Sequence, residues 1–143
     1  MVNSGLNILV DTGFWIALYN PEKEVERNTI ASRYAEQIID HNIVVPFPSL
    51  YEFVNSKLSR REAKHEFKKI IERPNVFRIS DSKYNEKALD NFFVKSKYGQ
   101  MDVSLVDEIM ILMLEDKDLL IHYIVSFDQG LTNQAMARGI MHV

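Results

Sequence analysis

Four carboxylates, Asp11, Glu52, Asp107 and Asp128, stand where an ordinary structural role accounts for only part of each. Asp11 ends the apolar run Leu6-Asn7-Ile8-Leu9-Val10, and Asp128 follows a second, Leu119 to Phe127. Glu52 falls within an expected helix starting at Ser49. Asp107 interrupts the apolar stretch Val103 to Leu114. Acids withdrawn from water lose hydration and repel one another, so several that converge normally require a cation. Oxygen-only ligands suit hard Mg²⁺ or Mn²⁺, which keep bound water and take substrate phosphate as well. If the four meet, the chain is a metal-dependent enzyme.

Each acid also has a local structural reading. Asp11 and Asp128 fit helix N-caps. Ser49-Leu-Tyr-Glu52 and Ser104-Leu-Val-Asp107 both have the pattern of a capping box. Glu108, about 100° further round its helix than Asp107, is expected to be the solvent-facing acid of that pair. Thr12 and Ser126 are placed to support Asp11 and Asp128 through their hydroxyls.

The elements that must position these residues follow from periodicity and punctuation. Strands are expected at Leu6–Val10, Ile43–Val45, Val76–Ile79 and Tyr123–Phe127, with an edge strand at Ile140–Val143. Helices are expected at Phe14–Tyr19, Arg27–His41, Ser49–Leu58, Arg60–Glu72, Ser82–Lys97, Ser104–Glu115 and Leu131–Arg138, the last ended by Gly139. Strands separated by helical stretches predict an α/β fold, a short and mostly parallel central sheet flanked by helices. In such sheets ligands bind beyond the carboxyl ends of the strands. Asp11 and Asp128 both follow strands, and so belong to one sheet edge.

Composition is ordinary for a soluble domain, 46% hydrophobic and 26% charged. With 143 residues, one domain spanning 1–143 is expected. No apolar run approaches the ~20 residues of a membrane span, and the first residues lack a basic, cleavable leader, so a cytoplasmic location is expected. Cysteine is absent, which excludes disulfides, thiolate metal sites and cysteine nucleophiles. The net charge is -3, but segment 56–73 holds seven Lys/Arg against three Glu. That +4 segment leaves -7 for the rest. Arg60, Arg61, Lys64 and Lys68 are its candidates for contacting an RNA backbone. The competing reading is a solvated face laced by Glu66–Lys69 and Lys68–Glu72 pairs.

Other residues carry less. Asp102 is a loop acid before Ser104, and Asn55 and Ser56 follow Glu52 at helical spacing. His41, His65, His122 and His142 share no ligand-like spacing. Phe14 and Trp15 read as anchors of the first helix, and Met101, Met110 and Met113 as core filling.

Four segments, Leu9-Val-Asp-Thr-Gly-Phe-Trp-Ile-Ala-Leu18, Pro48-Ser-Leu-Tyr-Glu-Phe53, Val103-Ser-Leu-Val-Asp-Glu-Ile109 and Ile124-Val-Ser-Phe-Asp-Gln129, together resemble the PIN domain, specifically the VapC-like toxin ribonucleases. The order and spacing of these segments cover essentially the whole chain. The resemblance implies a Mg²⁺- or Mn²⁺-dependent endoribonuclease with Asp11, Glu52, Asp107 and Asp128 as metal-holding catalytic residues. It also implies a cognate antitoxin protein and a homodimer. Three positions depart from the family pattern: Gly13 replaces a small hydroxyl residue, Ser126 a Thr, and Glu108 a small residue. Alternatives are an inactive PIN-like protein-interaction module and an RNA-processing nuclease without a toxin role. Phosphotransfer of the haloacid-dehalogenase kind needs a second Asp two places after the first, where Gly13 stands. A receiver domain needs an acidic pair ahead of its central Asp, and none precedes Asp11.

Overall fold

Strands β1 (Asn7–Val10), β2 (Asn42–Pro46), β3 (Val76–Ile79), β4 (Tyr123–Val125) and β5 (Met141–His142) form one all-parallel sheet in the order β3-β2-β1-β4-β5. The helices are α1 (Thr12–Leu18), α2 (Val25–Ile38), α3 (Phe47–Asn55), α4 (Arg61–Ile71), α5 (Asn85–Lys97), α6 (Leu105–Glu115) and α7 (Gln129–Ala137). The computed structural model describes residues 5–56, 61–99 and 104–142. Leu58, Ser59 and Arg60 at the expected junction of two helices, Met101, Asp102 and Val103, and Val143 lie outside these, as does the side chain of Arg61.

The strands alternate between two cores because successive side chains leave a strand on opposite faces. Leu9, Val44 and Ile124 face α5, α6 and α7 in one cluster, with Ala88, Met110, Met113 and Leu131. Ile8, Val10, Ile43, Val45 and Val125 face α1 to α4 in the other, with Phe14, Trp15, Phe53 and Phe67. Both strand faces are thus covered, as a parallel sheet requires. Leu9, fully buried in the central strand, illustrates the energetic scale: truncation to Ala there costs about 2–5 kcal/mol. Among the described residues, no helix is long and apolar enough to cross a membrane.

Several boundaries differ from the sequence-based ones, for local reasons. Helix α3 begins at Phe47, with Pro46 (φ -65°) as its N-cap and Pro48 in the first turn, where a missing N–H costs nothing. Ser49 is therefore inside the helix and caps nothing, so the capping-box reading of Glu52 fails. Strand β4 stops at Val125 rather than Phe127, because Ser126 turns the chain towards the α7 cap. Gly139, just past the Arg138 cap, does terminate helix α7: its φ of 72° lets the Gly139 N–H reach Met136 O and the Ile140 N–H reach Ala135 O, both at 3.0 Å.

The largest reversal concerns Glu108. The expected solvent-facing acid is 1% exposed and pairs with Lys95 of α5. A helical wheel gives angles but not neighbours: α5 packs on α6 and delivers an ammonium to the face the wheel leaves open.

Polar ties fix the amino ends of the strands. The Asn42 amide donates to Asn7 Oδ1 at 2.8 Å, and the Asn7 amide donates to the carbonyls of Leu119 and Leu120 at 3.2 and 3.0 Å. His122 Nδ1 accepts from the Asn7 N–H at 2.9 Å, and His41 Nδ1 from the Leu6 N–H at 3.2 Å. These imidazoles serve the backbone at the edge away from the acids.

Candidate active site

Strand order locates a crevice before any side chain is considered. From β1 the chain runs outward through β2 and β3, then crosses to β4 on the other side of β1. The carboxyl ends of β1 and β4 thus flank the switch point where such sheets bind ligands. Asp11 stands at the end of β1 and Ser126 to Asp128 at the end of β4. The Asp11 N–H donates to Val125 O at 3.1 Å, extending the β1–β4 pairing into the site.

The half-buried Asp11 carboxylate is held from two directions. Its Oδ1 accepts from the Thr12 N–H at 2.8 Å, capping α1, and its Oδ2 accepts from the Ser126 hydroxyl at 3.0 Å. The Ser126 oxygen in turn accepts from the Asp128 N–H at 3.0 Å. Asp128 caps α7, its Oδ1 accepting from the Leu131 N–H at 3.1 Å. Asp107 and Ser104 form the expected capping box of α6: the Asp107 N–H donates to Ser104 Oγ at 3.1 Å, and the Ser104 N–H to Asp107 Oδ2 at 3.3 Å. Capping does not exhaust these groups. A carboxylate has about four lone-pair sites, and a cap engages one or two.

Glu52 arrives differently. It projects from the middle of α3, away from the positive end of that helix, and is exposed. An aromatic cluster sets its position. Phe53 stacks on Phe67 at 4.3 Å, Trp15 meets Phe67 edge-on at 5.1 Å, and Tyr19 lies 5.8 Å from Phe53. These rings clamp α3 and α4 onto α1, bringing Glu52 to Thr12. The Thr12 hydroxyl is buried with no hydrogen-bond partner in bonding geometry, yet it stands near enough to Glu52 to favour the ionised acid.

The acids act on one another. Burial raises the Asp11 pKa above its ordinary 3.8; the Thr12 N–H and Ser126 hydroxyl oppose this, while the charges of Asp128 and Asp107 add to it. Burial likewise raises Glu52 above 4.5, reinforced by the charges of Asp11 and Asp107 and opposed by Thr12. Residues from four separate elements therefore share one field. Asp107 and Asp128 lie in the first turn and at the cap of their helices, where partial positive charge tempers the repulsion.

Among the described residues, no three acids or histidines stand together in an arrangement that already grips an ion. The donor set nevertheless fits a hard divalent cation: Mg²⁺ retains several waters and needs only one or two direct carboxylates. The desolvated Asp11 and the partly desolvated Glu52, which repel each other beside the buried Thr12 hydroxyl, are the groups such a cation would relieve.

The proposed RNA-contact residues are less distinctive. Lys64 and Lys68 are exposed on α4, but Lys68 lies 3.6 Å from Glu72 and Lys69 3.4 Å from Glu66, the two pairs named by the competing reading. Ser56 ends α3 and donates to Phe53 O at 2.7 Å, while Asn55 is exposed. Among the described residues, neither His65 nor His142, both exposed, joins an acid cluster. Sequence reasoning missed the basic and aromatic groups beside Ser126. Arg27 places its guanidinium 5.2 Å from the centre of the Phe127 ring, and Arg33 and Tyr34 follow on the same helix. Arg27 and Arg33 lie outside the four resembling segments, and the packing of α2 brings them beside Phe127 and Ser126.

No family model matches this sequence, and comparison with curated proteins likewise gives no match.

Proposed function

We propose that the chain is a divalent-metal-dependent endoribonuclease of the PIN type, working in the cytoplasm as the toxin of a toxin–antitoxin pair. The observation that carries the catalytic part is the joining of Asp11 and Asp128 through the Ser126 hydroxyl at the switch point of a parallel sheet, with Asp107 and Glu52 near enough for their charges to bear on this group. The ribonuclease, antitoxin and homodimer assignments draw on the four resembling segments around these acids.

In this reading Asp11, Glu52, Asp107 and Asp128 hold one or two Mg²⁺ or Mn²⁺ ions, directly or through water. When bound, such an ion supplies Lewis-acid charge at the scissile phosphate and lowers the pKa of water beside it. The protein's own groups do the positioning. Thr12 N–H and the Ser126 hydroxyl fix the Asp11 carboxylate, leaving lone pairs free towards the crevice. Ser126 also sets the Asp128 backbone, so one hydroxyl keeps two acids in register. Glu52, on an exposed helix face, has freedom to swing inward. The acidic centre repels unaccompanied phosphate, which makes cleavage strictly dependent on the cation.

The test is cleavage of a fluorogenic single-stranded RNA with Mg²⁺, Mn²⁺, Ca²⁺ or chelator, using wild type and Asp11→Asn prepared identically. Metal-dependent cleavage lost in the variant is expected. Equal cleavage by both proteins removes the assignment.

A further inference from the structure

A cleft of about 330 Å³ opens beside the acids, between α2 and the end of β4. Ser126, which donates to Asp11, forms part of its wall, so one residue borders both the cleft and the carboxylate group. Phe127, Tyr34 and Ile30 offer flat or aliphatic surfaces around it, and Phe14 closes the floor. Arg33 stands at the rim, and Arg27 lies against the Phe127 ring. No ion pair to a described carboxylate engages either arginine.

We infer that this cleft takes the unstacked base of the nucleotide flanking the scissile phosphate. The inference rests on the nuclease reading and specifies how that site receives its substrate. The volume is at the small end of ligand clefts, suited to one base with part of its sugar. Aromatic walls with an arginine beside them are the usual platform for an unpaired base, since every base has a π-face while only some present a given hydrogen-bonding edge. The charges are complementary too. Arg27 and Arg33 supply the cationic surface that the acidic crevice lacks, adjacent to where a backbone must enter. A base held here leaves its phosphate at the Ser126–Asp11 edge. The substrate is then single-stranded or looped RNA, because a paired base cannot reach the cleft.

The test uses a trinucleotide RNA carrying 2-aminopurine, whose fluorescence falls on stacking, titrated into full-length Asp11→Asn so that nothing is cleaved. Ile30→Trp, at a position 38% exposed, fills the cleft without emptying the core. Tyr34→Ala removes a wall. Saturable quenching in the Asp11→Asn chain, weakened about tenfold or more by either second change, is expected, the size of one lost stack. In the otherwise wild-type chain, Ile30→Trp should raise KM for RNA cleavage more than it lowers kcat, with the Mn²⁺-induced shift in melting temperature unchanged. Absence of quenching, or equal affinity in all folded variants, overturns the base site. Quenching without any metal-dependent cleavage by wild type retains the base site and removes the nuclease reading instead.

Discussion

Ser126 donates its hydroxyl proton to Asp11 across the switch point, joining residues 115 positions apart with a 3.0 Å bond. The same oxygen receives the Asp128 N–H. Ser126→Ala removes a donor from Asp11 and an acceptor from the Asp128 backbone at once. Stability should fall by about 1–2 kcal/mol, the cost of losing such bonds at a buried site. Ser126→Thr keeps the hydroxyl and should recover most of the loss. Chemical denaturation of the three proteins checks both expectations, and on the proposed function cleavage should follow the same order.

The raised pKa values of Asp11 and Glu52 give the metal-free protein a defined pH dependence. A carboxyl whose folded pKa exceeds its unfolded value binds its proton more tightly when folded. Its favourable contribution is complete below the ordinary range of 3.8 to 4.5 and is lost as pH rises through the raised values. Asp11→Asn should therefore raise the melting temperature in chelator at neutral pH, and more so at pH 7 than at pH 4. Asparagine also keeps the cap to the Thr12 N–H. On the proposed function, Mn²⁺ should stabilise wild type strongly and the variant little. A variant less stable than wild type in chelator at pH 7 would remove the repulsion argument.

Asp116 has the opposite sign. Hydrogen bonds from the Lys83 ammonium at 2.7 Å and the Tyr84 hydroxyl at 2.6 Å hold it down at about 2. Its contribution is present above 3.8 and is lost as pH falls towards 2. Tyr84→Phe leaves Lys83 in place and should cost about 1 kcal/mol at pH 7. The difference should shrink below pH 3, measured by urea titration at each pH.

Lys95 and Glu108 form a pair whose acid is buried and whose ammonium reaches solvent. Lys95→Met strands a charge and should destabilise by about 2–3 kcal/mol, below the range for a fully buried pair because Lys95 is 31% exposed. Adding Glu108→Leu should restore most of that loss. Non-additivity in the double-mutant cycle is the measurement. Additive effects would show that the two side chains do not depend on each other.

Gly13 lies in α1, and a Cβ added there meets nothing within 4 Å. Gly13→Ala should stabilise by roughly 0.5–1 kcal/mol through helix propensity. Gly13→Ser supplies the hydroxyl that the resembling family places at this position and should stabilise less than Ala. Thermal melts of the two variants decide the order.

The sequence was legible where a single element carries its own signal. Short apolar runs marked the buried strands β1, β2 and β4, and the capping pattern at Ser104 and Asp107 is realised in the fold. Legibility failed where an answer belongs to a neighbour. Glu108 was misplaced because nothing along α6 announces Lys95. The alternative reading of Glu52 as part of a capping box arose because Ser49 precedes it by three positions, whereas Pro46 and Pro48 start the helix two residues earlier. The strand order, and the meeting of α2 with the end of β4, depend on packing that no local pattern encodes. For the same reason Arg27 and Phe127 escaped notice.

The two halves of the acid group stand on different mechanical footings. The Asp11 amide is tied to Val125 O between the innermost strands, so its proton should exchange with solvent only when the whole molecule opens. Glu52 rides on a short helix with an outward face, whose amides should open at smaller free energy. Fluctuation can thus carry one acid in and out while the other stays still, so that on the proposed function the crevice would work as an anvil with a single moving jaw.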